Sequence, residues 1–412
     1  MNIVVLTGPY GHTMSPESSC IDKYLQGLHD DCNIHVICPK ADMACYDNGK
    51  FVVYPITNFW NSLRVVSQFH LATAQRGIKG LFWNFMLGIV RGRGLVLSFF
   101  AFPTRNSWLI KKYNKKLKWL SDSISIDAII SVGGLPCAHE AASRFKKTHP
   151  SVKWVTYTLD PFTINKDVYK HILFKSLRKK RNHNLENGFW TNADWNIFTE
   201  ELIDPMKEEF GDVKNNYICF PYVLQKPEFE NALPKNKSDL LRAVYAGALY
   251  LHIRNPRRML SVMSQVDNIV LDLYTSGECD GIIHEYVGER IQLHGKLSRN
   301  DYLELINERT DILINIGNSI TLMAPSKYFE FLATGLPIIN FYTVKNTNYY
   351  MTERYPLGLN IGPDDNDAVE KVNAFCQDVR GKRLLYKEIE ALFPENSLTK
   401  QMLVLRQCLG IN

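Results

Sequence analysis

The chain has 412 residues, of which 45% are hydrophobic, 22% charged and 12% aromatic, and its formal net charge at pH 7 is +6. This composition excludes a disordered protein and indicates globular domains, for two of which the length is sufficient. The nine cysteines form no CxxC pair and no cluster at zinc-ligand spacing, which disfavours a disulfide-stabilised secreted protein. The residues from Asn2 onward are strand-like and do not resemble a secretory signal, so we expect a cytoplasmic protein.

Apolar runs, glycine-containing loops and helical periodicity alternate through the first half of the chain. The predicted strands cover 3–7, 33–39, 51–56, 127–132, 154–159 and 196–199, and the predicted helices cover 17–28 and 137–147. Short apolar strands alternating with helices are typical of a parallel sheet covered by helices on both faces. We assign residues 1–225 to a first domain of this kind.

An apolar, aromatic stretch and two basic runs interrupt this pattern. Residues 80–103 are apolar but contain two arginines near their middle, which disfavours a membrane span. The basic runs at 111–118 and 175–181 are typical of solvated helix faces. An alternative is peripheral contact of residues 81–118 and 175–183 with an anionic membrane, through aromatic rings and lysines. Nucleic acid is disfavoured as a partner, because no nucleic-acid-binding module accompanies the runs.

The second half repeats the alternating pattern after an aperiodic linker at 226–239. The predicted strands cover 242–247, 269–274, 290–295, 311–316 and 337–341, and the predicted helices cover 257–266 and 299–309. We assign 240–385 to a second domain. Residues 384–409 are helical in pattern, and the segment 386–412 is expected either to cap this domain or to pack back on the first. The predicted fold is α/β, with two doubly wound, Rossmann-like parallel-sheet domains facing across a cleft.

One segment, 324–339, is the most informative in the chain, with the sequence A-P-S-K-Y-F-E-F-L-A-T-G-L-P-I-I. Ser326 can cap a short helix, Lys327 and Glu330 lie one turn apart on its exposed face, and Gly335 can end it in a left-handed turn before the next strand. A helix N-terminus with a lysine suits a phosphate, and a carboxylate about 5 Å further along suits the hydroxyls of a ribose. The alternative is an ordinary amphipathic helix with a Lys/Glu surface pair.

Residues 325–339 resemble the P-S-K-x-x-E-[YF]-[LM]-A-x-G-x-P-[VI]-[VI] signature of the GT-B glycosyltransferases. The resemblance is greatest to the retaining enzymes of family four and to bacterial relatives that build capsule, exopolysaccharide and lipopolysaccharide. Weaker matches at 245–250, 293–295 and 310–317 follow in the family's order and spacing. The resemblance covers roughly residues 240–345, and the first half agrees only in its strand–loop pattern.

This resemblance implies that the first domain binds the acceptor and the second the nucleotide-sugar donor. It assigns Ser326 and Lys327 to the diphosphate, Glu330 to the ribose, and the Gly247 backbone to the phosphates. The family's loop against the base falls at His294 and Gly295. The arginine that stabilises the leaving group is one of Arg254, Arg257 or Arg258. The contacts to the sugar fall within 317–322, which includes Gly317 and Asn318. The sequence departs from the family at Leu322, where many members carry a second glutamate.

Three residues of the first domain are candidates for the acceptor side. Asp160 ends a strand before a proline, and it is the leading base if the reaction inverts the anomeric centre. His12 and His139 can orient or deprotonate an acceptor, although a purely structural histidine is the alternative for each. No DxD stands at a strand end, and the acidic run 364–367 is typical of a solvated turn, so we expect neither a metal nor another cofactor.

The predicted function is transfer of a sugar from a nucleotide-sugar, with a UDP-sugar favoured, to a lipid-linked or growing glycan. The resemblance implies a retaining reaction in surface polysaccharide synthesis. The basic and aromatic stretches of the first half suggest a location at the inner face of the cell membrane. Two alternatives stay open: an enzyme related to sugar-nucleotide 2-epimerases, and a catalytically silent scaffold or glycan-binding protein with the same fold. A nicotinamide-dependent dehydrogenase is disfavoured, because neither half has GxGxxG after its first strand.

Overall fold

The computed structural model describes the chain apart from residues 12–13, 40–45, 48, 50, 57–58, 73–76, 102–105, 134–135, 166–168, 170–173, 212–215, 221, 225, 228–239, 276, 321, 323–326 and 412. The chain divides into two compact units. The first contains Met1–Pro221 and Gln401–Asn412, and the second contains Tyr222–Lys400. The predicted C-terminal segment, 386–412, is thus divided between the units at Lys400.

The first unit is built on an eight-stranded sheet. Its strands are β1 (Asn2–Leu6), β2 (Asn33–Pro39), β3 (Tyr46–Asp47), β4 (Val52–Ile56), β5 (Ala128–Val132), β6 (Lys153–Thr158), β7 (Trp195–Phe198) and β8 (Tyr217–Cys219). Their order is β3-β4-β2-β1-β5-β6-β7-β8, and every neighbouring pair is parallel except β3 with β4. The helices are α1 (Pro16–Leu28), α2 (Phe59–Ala72), α3 (Ile78–Ala101), α4 (Ser107–Ser121), α5 (Pro136–Thr148), α6 (Lys175–Asn192) and α7 (Glu200–Phe210).

The second unit is built on a six-stranded, wholly parallel sheet. Its strands are β9 (Leu241–Ala246), β10 (Ile269–Tyr274), β11 (Ile291–His294), β12 (Ile312–Ile316), β13 (Ile338–Phe341) and β14 (Gly358–Ile361), in the order β11-β10-β9-β12-β13-β14. The helices are α8 (Arg257–Met263), α9 (Asp280–His284), α10 (Arg299–Glu308), α11 (Lys327–Ala333), α12 (Thr347–Arg354), α13 (Ala368–Asp378) and α14 (Tyr386–Leu392). A 3₁₀ turn (Pro394–Asn396) and α15 (Leu398–Leu409) follow.

The strands of both sheets are apolar because helices cover them on both faces. All five residues of β5 and all five of β12 are buried. The predicted pair of doubly wound parallel sheets is confirmed. Among the helices of the described residues, none is both long and apolar enough to span a membrane.

Three asparagines form a hydrogen-bonded row across the last three strands of the second sheet. Asn315, Asn340 and Asn360 stand in register on β12, β13 and β14. The Asn315 side-chain amide donates to the Asn340 carbonyl oxygen at 2.7 Å, and the Asn340 amide donates to Asn360 at 2.7 Å. Buried amides need such partners, so the row satisfies polar groups inside an otherwise apolar sheet.

The predicted helical pattern near the C-terminus does not form one continuous helix. The helical pattern over 384–409 forms two helices, α14 and α15, separated by the turn that starts at Pro394. Proline has no backbone N–H and its ring clashes with the preceding helical turn, which favours a break in the helix at this position. The predicted left-handed turn at Gly335 is confirmed, with φ of 73°.

Candidate functional site

A pocket of about 370 Å³ opens at the carboxyl edge of the second sheet. Its walls come from the ends of β9 and β10, the loop between β11 and α10, and the starts of α10 and α11. The lining residues are Ala246, Gly247, Ala248, Tyr274, Lys296, Leu297, Ser298, Tyr302 and Lys327. β9 is bonded to β10 on one side and to β12 on the other, so the strand order reverses here. Ligands of doubly wound sheets bind at such reversal points.

Lys327 reaches into this pocket from the first turn of α11. The remaining face of this helix is apolar and buried, and only Lys327 and Glu330 are partly exposed. The Lys327 ammonium donates to the Ala246 carbonyl at 2.7 Å and lies 4.3 Å from the centre of the Tyr302 ring. Lys327 and Glu330 thus share one face, as their spacing predicts. Ser326, the predicted cap, lies outside the described residues.

Arg254 links two of the predicted donor loops. Its Nε and Nη2 donate to the Asn318 side-chain oxygen at 3.1 and 2.8 Å, and its Nη1 donates to the Ala248 carbonyl at 3.2 Å. Asn318 is buried directly after Gly317, at the carboxyl end of β12. One guanidinium therefore ties the loop after β9 to the loop after β12, on either side of the point where the strand order reverses.

The other two candidate arginines have different neighbours. Arg257 pairs with Glu285 at 2.8 Å on the surface. Arg258 donates to the backbone carbonyls of Gly362 and Asp365. Of the three arginines, Arg254 is the one bonded to pocket-lining backbone in the described hydrogen bonds.

Gly247 is half-exposed in the wall of the pocket. A Cβ atom at this position would lie 3.3 Å from the Tyr245 hydroxyl oxygen, closer than most such contacts. Tyr245 is buried and donates to the Ala248 carbonyl at 3.0 Å. A residue without a side chain therefore leaves this backbone open to the pocket.

His294 lies beside the pocket at the end of β11. Its Nε2 is 2.7 Å from a carboxylate oxygen of Asp272, and its ring stacks on Tyr274 with centres 4.6 Å apart. Because the carboxylate accepts, Nε2 is assigned as the donor. Asp272 is buried, and its second oxygen lies 3.4 Å from Arg242 Nε. Gly295, the next predicted residue, is exposed in the loop that follows.

Sequence reasoning missed several residues of this site. Tyr274, Lys296 and Tyr302 line the pocket but match no motif. Asp272 had a visible signal, since a single acid stands within the apolar strand 269–274. Asp272 is hydrogen-bonded to His294. Because the two residues lie on different strands, this pair could not be predicted from the sequence alone.

Asp160 belongs to the first unit, where it follows β6. It is half-buried, and burial, with the negative charge of Glu17 as a smaller cause, raises its pKa to about 6. A carboxylate of this pKa is still mostly ionised at pH 7 but is a stronger base than an ordinary aspartate. It therefore has the acid–base properties that proton transfer near neutral pH requires.

Glu186, which no sequence pattern singles out, holds the segment directly after Asp160. This residue of α6 is 1% exposed. Its two carboxylate oxygens accept hydrogen bonds from the backbone N–H groups of Phe162 and Thr163, both at 2.9 Å. Burial is the main reason why its pKa is raised to about 7, and the charge of Glu209 adds to the effect.

His139 is buried in α5 and both ring nitrogens are occupied. Nδ1 lies 2.8 Å from the Ser131 hydroxyl, and Nε2 lies 3.0 Å from the Gly133 carbonyl. Burial lowers its pKa to about 4, so the ring is neutral at pH 7. This environment favours the structural alternative for His139. His12, the other candidate histidine, lies outside the described residues.

The acidic run 364–367 forms the turn that its composition predicts. Asp365 accepts from the Gly362 N–H at 2.7 Å, and Lys371 bridges Asp365 and Asp367 at 2.9 and 3.0 Å. Elsewhere in the described ranges, too, no three His, Cys, Asp or Glu side chains come close enough together to hold a metal ion. Metal independence stays a prediction.

No protein-family model and no curated protein sequence matches the chain. Solved structures do match along its whole length. Sucrose-phosphate synthase from Thermosynechococcus elongatus superimposes with a TM-score of 0.67 at 12% identity, over 98% of this chain and 97% of that one. Anabaena HepE in complex with UDP and glucose gives 0.61 at 9% identity, over 100% and 99%. The galactosyltransferase WaaB of the lipopolysaccharide outer core, in its apo form, gives 0.58 at 12% identity, over 98% and 100%.

The chain has the GT-B fold. At these identities the likeness concerns the fold alone, and it extends over both units, including the first, in which the sequence shows no family motif. The GT-B resemblance drawn from 325–339 is confirmed. In GT-B terms, the pocket around Lys327 belongs to the second Rossmann-like unit, the unit predicted to hold the nucleotide.

Proposed function

We propose that this protein is a glycosyltransferase that moves a sugar from a nucleotide-sugar donor to a lipid-linked or growing glycan in surface polysaccharide synthesis. A UDP-sugar is the favoured donor. The observation that most supports this proposal is the position of Lys327. Its ammonium lies in a pocket of the second unit, at the point where the strand order reverses, and Glu330 follows one helical turn later. The structures of HepE with UDP-glucose and of the E. coli trehalose-6-phosphate protein with UDP-2-fluoro glucose support this choice of nucleotide.

The reaction depends most on the groups that surround the leaving phosphate. The bond from the sugar C1 to the diphosphate oxygen breaks, a bond from C1 to the acceptor hydroxyl oxygen forms, and negative charge accumulates on the departing diphosphate. Cations already held in place stabilise that charge without reorganising. Lys327 supplies one such cation, and Arg254 supplies a second that its bonds to Asn318 and Ala248 hold rigid.

The acceptor hydroxyl also loses a proton. In the retaining reaction that we favour, a phosphate oxygen of the donor takes this proton, and the protein needs no strong base. In an inverting reaction the Asp160 carboxylate takes it, and the raised pKa of about 6 suits that role. Determining the anomeric configuration of the product distinguishes the two. We propose that either reaction proceeds without a bound metal.

A nucleotide panel tests the function directly. At a concentration of about 100 times its dissociation constant, the correct UDP-, GDP- or dTDP-sugar is expected to raise the melting temperature of the 412-residue chain by roughly 3 °C, because it binds only the folded state and stabilises it by about 2.7 kcal/mol. Differential scanning fluorimetry measures the shift, and release of the nucleoside diphosphate measures turnover. Glu330→Ala is expected to reduce both. The proposal fails if no nucleotide-sugar shifts the melting temperature of the natural protein, and a donor that binds without turnover favours the silent scaffold.

We also propose that the first unit contacts an anionic membrane. α3 exposes large apolar side chains to solvent, including Leu81, Phe82, Phe85 and Leu95. On α4, Lys112 and Lys116 lie 4.7 and 4.1 Å over the rings of Trp108 and Trp119, both of which are partly exposed. Exposed aromatic and aliphatic groups next to lysines match the interface between acyl chains and anionic head groups.

Substituting two of these side chains tests the membrane contact. The double variant Leu81→Ser/Phe85→Ser is expected to bind vesicles of mixed phosphatidylcholine and phosphatidylglycerol at least about tenfold more weakly, because each apolar side chain contributes on the order of 1.5–3 kcal/mol on burial. Co-sedimentation measures the binding. Leu403→Ser, which removes an exposed leucine from α15, serves as the control. Equal binding of the double variant and the control would contradict the membrane contact.

A further inference from the structure

We propose that Tyr302 is a positioning residue, which holds the Lys327 ammonium against the face of its ring at the wall of the pocket. The inference rests on the proposed function, because it assumes that Lys327 meets the phosphates of a nucleotide. It adds a residue for which neither the motif nor the spacing of the sequence provides a role.

The geometry that supports this assignment is a three-sided seat for the ammonium. Lys327 Nζ lies 4.3 Å from the Tyr302 ring centre, 5.9 Å from the Phe331 ring centre and 2.7 Å from the Ala246 carbonyl oxygen. A cation within about 6 Å of an aromatic ring centre is attracted by the negative face of the ring. The seat therefore combines a hydrogen bond with two aromatic faces, and the Tyr302 ring is the nearer one.

The backbone fixes Tyr302 independently of Lys327. α10 begins at a capping serine, Ser298, whose side-chain oxygen accepts from the Asp301 N–H at 3.2 Å. The Tyr302 N–H donates to the Ser298 carbonyl at 3.0 Å, so the tyrosine stands one turn into a capped helix. Both residues line the pocket, and Tyr302 is buried except for 7% of its surface.

A seat of this kind matters because a lysine side chain is long and flexible. Ordering it on ligand binding costs conformational entropy that reduces the affinity. A ring face that already holds the ammonium removes part of this cost and directs the charge to one place in the pocket. The ring is the element required, since the cation is attracted to the face of the ring and not to its hydroxyl group.

The alternative is that Tyr302 only fills space in the core. Two substitutions, Tyr302→Phe and Tyr302→Leu, distinguish the two roles. Tyr302→Phe keeps the ring and should keep UDP affinity within about twofold, whereas Tyr302→Leu should weaken UDP binding by about 3- to 30-fold. Uridine, which has no phosphate, should bind all three proteins equally. Isothermal titration calorimetry measures these affinities.

A double-mutant cycle tests whether Tyr302 acts through Lys327. In a Lys327→Met background, Tyr302→Leu is expected to produce no further loss of UDP affinity, since the cation that the ring holds is already gone. An equal loss in both backgrounds, or an equal loss for uridine and UDP, would show that Tyr302 merely supports the core and would overturn the inference.

A measurement without nucleotide separates this inference from the proposed function. After reductive ¹³C-methylation, the Lys327 methyl signal, assigned by its absence in Lys327→Met, should move in Tyr302→Leu and stay in Tyr302→Phe, because the ring current is lost only in the former. A signal that Tyr302→Leu does not move overturns the inference. The expected pattern in a protein that binds no nucleotide supports the seat and contradicts the function proposed for the pocket.

Discussion

Lys327→Met is expected to weaken UDP binding by roughly 10- to 100-fold and to leave uridine binding unchanged. Truncating a charged hydrogen-bonding group that meets a charged partner typically costs about 1.5–3 kcal/mol. Lys327 stands in the first turn of α11, at the wall of the pocket, and its ammonium lies 2.7 Å from the Ala246 carbonyl. Methionine keeps the length and apolar character of the side chain and removes the charge.

The comparison between UDP and uridine makes this prediction specific. If Lys327 meets the diphosphate, the loss must appear with UDP and be absent with the nucleoside, and it should decrease at high salt because the interaction is between charges. Calorimetric titration at two ionic strengths measures both effects. Lys382→Met, which removes a surface lysine paired with Asp378, is the control and should bind UDP as the natural protein does. A parallel loss of uridine affinity would indicate a damaged pocket and contradict the phosphate role.

The second large effect concerns pH and Glu186. Burial raises the pKa of Glu186 in the folded protein to about 7 from an ordinary value of 4.5. The folded protein therefore holds this proton more tightly than the unfolded chain does. Between about pH 4.5 and pH 7 the folded state binds more protons, so the contribution of Glu186 to the free energy of unfolding falls as pH rises, by up to about 3 kcal/mol.

Glu186→Gln should abolish this part of the pH dependence. At pH 5 the variant is expected to be less stable than the natural protein by about 1–2 kcal/mol, because glutamine offers one acceptor oxygen where the backbone N–H groups of Phe162 and Thr163 need two. At pH 7.5 the difference should shrink or change sign, since glutamine carries no buried charge. The exposed Glu208, substituted in the same way, should change the stability equally at both values.

The chain offers a convenient probe for this measurement. All seven tryptophans lie between Trp60 and Trp195, within the first unit. Urea unfolding followed by tryptophan fluorescence therefore reports on the unit that contains Glu186, whether or not the second unit unfolds at the same time. If the difference between the variant and the natural protein is the same at pH 5 and pH 7.5, Glu186 is not the titrating group.

The strands, and the short helix and turn of the segment 324–339, could be predicted from the sequence because their signals are local. The apolar runs at 33–39 and 269–274 became strands with the same bounds. Gly335 ends α11 with positive φ, a conformation that the sequence pattern of the motif requires. Such features depend on neighbours within a few residues, and their physics can be read directly along the chain.

The supporting residues could not be predicted in this way, since their roles depend on distant partners. Glu186 meets the backbone at 162–163 only because the fold brings α6 beside the loop after β6. Tyr302 meets Lys327 across 25 positions of sequence, and nothing local distinguishes it from a core tyrosine. The hydrogen bond from Arg254 to Asn318, which favours Arg254 among the three candidate arginines, likewise joins residues that are 64 positions apart. The structural alternative for His139 was open at the sequence level because its burial depends on the fold.

The row of asparagines on β12, β13 and β14 restricts how the donor motif can vary in length. A shift of β13 by one residue would turn Asn340 to the opposite face and leave buried amides unpaired, at a cost of about 1–3 kcal/mol each. Insertions or deletions between Lys327 and Ile338 therefore cannot be absorbed by sliding the strand. They must be accommodated in α11 or in the turn at 334–337, and because this turn carries neither Lys327 nor Glu330, it is the place where a change of length disturbs their shared face least.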